Sequence, residues 1–120
     1  MVVYEQQQIT QSLVQSNFNV DRPDSESDAF RHFMWSALLT NLLGAKTASL
    51  FLNAHESGLP NSDPGTQMDK YNNDLGIKAA EKLKNSKKFS SEVEIEALTQ
   101  IKSGKLKVLK PGNLPAKGAK

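Results

Sequence analysis

His32 and His55 are the only imidazoles in this 120-residue chain, and a carboxylate, Glu56, follows the second at once. Downstream, the run Met-Asp-Lys-Tyr-Asn-Asn-Asp-Leu-Gly sets Asp69, Asn72 and Asn73 ahead of Gly76. Imidazole, carboxylate and amide oxygen are all ligands for a divalent ion, and three protein donors around a zinc-like ion leave a position for an activated water. The same residues also suit proton transfer. Glu56 would then be a general acid or base whose pKa is raised by apolar surroundings, with His32 or His55 orienting water or substrate. Spacing alone specifies neither use, because no second histidine follows His55 at four residues to complete a helical zinc motif. The candidate set is therefore Glu56, His55 and His32 for catalysis, Arg31, Asn72 and Asn73 for substrate, and His32, His55 and Asp69 for a divalent metal such as zinc. Each also has a structural use, since buried polar side chains bond to main chain or bridge helices.

Helices must carry these groups. The stretch from Asp28 to Leu43, DAFRHFMWSALLTNLL, is apolar on nearly every side, with Phe30, Met34, Ala37 and Leu38 opposed by Trp35, Leu39, Leu42 and Leu43. Such a helix belongs at the centre of a bundle. The Asp- and Ser-rich loop before it offers Ser25 or Ser27 as the N-cap, and Asp28 falls in the first turn, where the helix dipole favours a negative charge. Gly44 ends the helix and a second runs from 45 to 56, with Ala48, Phe51, Leu52 and His55 on one stripe facing the core. The sequence SGLPNSDPG is a loop in which Asp63 serves turn chemistry. A further helix from 66 to 84 buries Met68, Leu75, Ala79 and Leu83, and Asn72 falls within that stripe, with Asp69 and Asn73 beside it. A buried amide costs several kcal/mol, on the order of 2–7, unless something satisfies it. Helices over 4–16 and 90–103 complete an all-α fold, a compact bundle of four to five helices.

Length and charge narrow the rest. One domain over residues 1–103 is the natural division, followed by 104–120 as a basic, solvated and flexible tail. From Lys102 to Lys120 there are six lysines and no acidic residue, yet the net charge of the chain is only +2. That balance speaks against nucleic acid as the partner. With no cysteine, disulfides and thiolate metal sites are excluded. No apolar run approaches a membrane span, and the start MVVYEQQQ lacks the pattern of a secretory signal.

The stretch DAFRHFMWSALLTNLLGAKTASLFLNAHE, followed after a loop by MDKYNNDLG, resembles a poorly characterised family of helical domains found in bacterial secreted proteins and at the C-termini of polymorphic toxins. The likeness spans about residues 28 to 76 and rests on Arg31, His32, Trp35, His55, Glu56, Asp69, Asn72, Asn73 and Gly76. At Ile77 the sequence departs from a basic residue common in the family, so an anion-binding role there is not carried over. The resemblance implies a bacterial protein, exported without a classical signal peptide, acting as an effector or toxin on a cell-envelope or similar polymer, with an immunity or delivery protein as partner. Together these readings favour a small hydrolase, metal-assisted or not; the rival is a non-catalytic interaction module with a polar core.

Overall fold

A helix that is apolar all round has to be surrounded, and the central one is. The computed structural model describes residues 2–55, 58 and 60–116. Five helices follow in order: α1 (Val2–Asn17), α2 (Glu26–Leu43), α3 (Ala45–His55), α4 (Pro64–Leu83) and α5 (Phe89–Lys102). No strand occurs among the described residues, so the all-α bundle expected from the sequence is the architecture. Twelve of the 18 residues of α2 are buried, and α1, α3, α4 and α5 all pack against it.

One apolar cluster joins Phe30, Phe33, Met34 and Ala37 of α2 to Val14, Met68, Ala80, Val93 and Leu98 from α1, α4 and α5. A smaller one, on the opposite side of α2, gathers Trp35, Leu39, Ala48 and Leu52. Between α2 and α4 the backbones lie close enough that a methyl group on Gly76 would overlap the Phe33 carbonyl oxygen and the Ser36 hydroxyl. A side chain at this position would push the two helices apart, which is why a glycine stands there.

Local chemistry sets the helix ends. Ser25 occupies the N-cap of α2 in extended backbone, but its hydroxyl donates to the Arg22 carbonyl at 2.8 Å instead of serving as an acceptor for the helix. Gly44, at φ +86°, ends α2 and lets α3 begin immediately. Asp63 turns out to be more than a turn residue. Its carboxylate accepts the Thr66 N–H at 2.9 Å, with Pro64 at the first helical position, so α4 starts two residues earlier than the periodicity predicts. A capping interaction of this kind contributes about 1 kcal/mol.

The basic C-terminal segment departs from expectation. Residues 105–116 are strapped across the bundle and do not form a free tail. Leu106 is buried, and the Leu109 and Lys110 N–H groups donate to the Asp24 carbonyl at 3.1 and 2.8 Å. Gly112 and Asn113 donate backbone N–H to the buried Glu26 carboxylate at 3.1 and 2.8 Å. The Asn113 amide donates in turn to the Val20 carbonyl, Ser25 and Ser27. Lysines 102, 105, 107 and 110 stay in solvent while the backbone between them is held. No helix among the described residues is long and apolar enough to cross a membrane.

Candidate functional site

Residues 28 and 32 are one helical turn apart, so Asp28 and His32 share a face of α2. The second turn of α4 packs against that face and brings Asp69 to the same imidazole. His32 Nε2 lies 3.5 Å from Asp28 Oδ1 and 3.3 Å from Asp69 Oδ1, with the His32 and Asp28 side chains each only 13% exposed. The first turn of α2 is itself braced. Asp28 Oδ2 accepts the Asp24 N–H at 2.8 Å, and Asp28 Oδ1 accepts from Arg31 Nη1 at 2.8 Å. Arg31 also pairs with Asp21 and donates from Nε to Gln11 Oε1 at 3.4 Å, tying α1 and the loop before α2 to the same cluster.

These contacts shape the protonation states. Burial, the largest single influence on Asp28, works to raise its pKa; the His32 ring, the Asp24 N–H and the Arg31 charge together outweigh it and hold the carboxyl below its ordinary value. At Asp21 burial again pushes upward and is overcome, here by Arg31, Gln11 and Ser27. Both are therefore carboxylates at neutral pH.

His32 opens onto a cavity of about 330 Å³ walled by Gln7, Gln8, Thr10 and Gln11 of α1, Arg31 and Trp35 of α2, and His55 of α3. His55 is exposed, not part of the core stripe as its spacing predicts, and Phe51 is likewise 38% exposed. Two aromatic contacts hold this edge: the His55 ring meets Trp35 edge-on at 5.0 Å, and Phe51 meets Trp35 edge-on at 6.0 Å. His32, His55 and Arg31 thus share one cavity, and Asp69 joins them through His32. Glu56 lies outside the described residues.

The two asparagines part company. Asn72 is fully buried and clasps the C-terminal strap, donating from Nδ2 to the Lys107 carbonyl and accepting the Lys107 N–H, both at 2.9 Å. It is absent from the walls of the His32 cavity. Asn73, 4% exposed, borders a small hollow of about 30 Å³ with Ser49, Asn53 and Lys70, and its Oδ1 has no hydrogen-bond partner among the described residues.

Sequence reasoning passed over Asp28, Asp21 and the glutamines of α1. The i, i+4 spacing of Asp28 and His32 was a usable signal, but a carboxylate in a first turn is already accounted for by the helix dipole. Nothing local marks Gln7, Gln8 or Gln11 as a cavity wall, since that depends on how α1 crosses α2. Among known proteins, a family model described as Domain of unknown function (DUF6973) matches residues 1–105. No curated protein and no solved structure matches the chain.

Proposed function

Because the chain belongs to the family described as Domain of unknown function (DUF6973), which brings no reaction with it, we propose from the site itself that this protein is a small hydrolase acting on a cell-envelope or similar polymer. One observation supports the reading above the others: an imidazole held between two carboxylates from different helices at the wall of a cavity that a second imidazole also lines. Groups so braced can polarise a water without moving, which is how preorganised polar sites lower a barrier. In this reading the Asp28–His32–Asp69 cluster activates the water, His55 orients the bond to be cut, and Glu56, next in the chain after His55, transfers the proton. Arg31, whose guanidinium is engaged by Asp21 and Asp28, acts by positioning. Delivery as an effector or toxin, with an immunity or carrier protein, is supported by the sequence resemblance alone.

The test is release of soluble fragments from bacterial envelope polymers by the purified protein. Glu56→Gln is expected to lose activity by about 10²–10⁴-fold, the usual worth of a positioned acid or base, with a melting temperature near wild type. Equal loss of folding in that variant, or undiminished turnover, would overturn the assignment of Glu56.

A second reading, a non-catalytic interaction module, draws on the Asn72 clasp, which uses a buried amide purely to fix chain register. It predicts no hydrolysis of any envelope polymer and a stability loss as the sole effect of changing His32 or Asp69.

A further inference from the structure

We infer that Asp28, His32 and Asp69 form a binding site for a divalent, zinc-like cation, with His55 outside the donor set. The inference deepens the hydrolase reading and rests on its placement of the active cluster, but not on any activity. One oxygen or nitrogen from each of the three residues lies within 4.8 Å of the others. The two contacts of His32 Nε2, 3.3 and 3.5 Å, are long beside the mode of about 2.9 Å for an N–H to oxygen hydrogen bond. They match the donor-to-donor edge of a tetrahedron, about 3.3–3.6 Å when each donor stands about 2.0–2.2 Å from zinc. A cation between these atoms would take one donor from each of the three residues.

Charge and surroundings agree. Arg31 pairs with two carboxylates, Asp21 and Asp28, and Asp69 brings a third to the cluster through His32. Carboxylate oxygens and an imidazole nitrogen are donors that a divalent ion accepts. Asp28 is held by the Asp24 N–H and Arg31, the kind of outer-sphere support that orients metal ligands.

Access is available from both sides, since His32 opens onto the cavity lined by His55 and Asp69 onto another lined by Asp24, Asp63 and Thr66.

The experiment is calorimetric titration of Zn²⁺ into the full chain after treatment with a chelator. One saturable site is expected, with at least ten-fold weaker binding in Asp69→Asn and in His32→Asn, and unchanged affinity in His55→Ala. Circular dichroism of each variant separates lost affinity from lost fold. Absence of saturable binding to the folded wild type, or affinity unaltered in both Asp69→Asn and His32→Asn, would overturn the site. Loss in His55→Ala equal to that in His32→Asn would overturn the donor set. Polymer hydrolysis that persists in chelator and still depends on Glu56 would leave the hydrolase reading standing while removing the metal from it.

Discussion

Two buried polar clusters lie next to each other in the first half of α2 and are built to opposite standards. Where the C-terminal strap crosses the start of α2, every group meets a close partner: Glu26 takes two backbone N–H groups at 2.8 and 3.1 Å, and the Asn113 amide donates to three oxygens. Nearly two turns further along, His32 sits between carboxylates at 3.3 and 3.5 Å beside a cavity. The first cluster is closed and holds the chain together. The second sets an imidazole and two carboxylates at the wall of a cavity, which is where binding and chemistry are to be sought.

The comparison can be broken most forcefully at Glu56. Its change to Gln should cost activity by two to four powers of ten, on the order of 3–5 kcal/mol in barrier, and leave the melting curve in place. Next in size are changes to the closed cluster. Asn72→Ala strands both the carbonyl and the N–H of Lys107 and should lower the free energy of unfolding by about 1–3 kcal/mol, read by urea denaturation. Asn113→Ala releases the strap from Val20, Ser25 and Ser27 and should cost a similar amount, accompanied by faster amide exchange over residues 105–116.

The smallest effect concerns acid. The Asp21 pKa is held below its ordinary 3.8, so the stability it contributes is present above pH 3.8 and is lost as pH falls through the lower folded value. Asp21→Asn should therefore lower the neutral plateau slightly and flatten the acid limb of a stability-against-pH curve, the two proteins converging at low pH. An acid limb as steep as in wild type would remove Asp21 from the account.

Much of the architecture was legible because its causes are local. The apolar surface of α2, the break at Gly44 and the buried stripe of α4 follow from side-chain periodicity and one glycine. The strap was not, since its anchors pair Glu26 with Gly112 and Asn113 and Asn72 with Lys107 across long stretches of chain. A Lys-, Gly- and Pro-rich composition conceals such pairing. The site was legible in part: His32, Asp69, His55 and Arg31 were marked by residue type and come together. Asp28 was hidden behind its suitability for a helix start, and Asn72, read as facing the site, proved to be bound to main chain.

The most direct test uses one variant, Asp69→Asn, with turnover of envelope polymer and urea unfolding measured on the same sample. If the His32 cluster is a working site and not a clasp, turnover is lost while the stability loss stays well below that of Asn72→Ala, since His32 keeps its contact with Asp28. A stability loss as large as that of Asn72→Ala, with turnover intact, would contradict it.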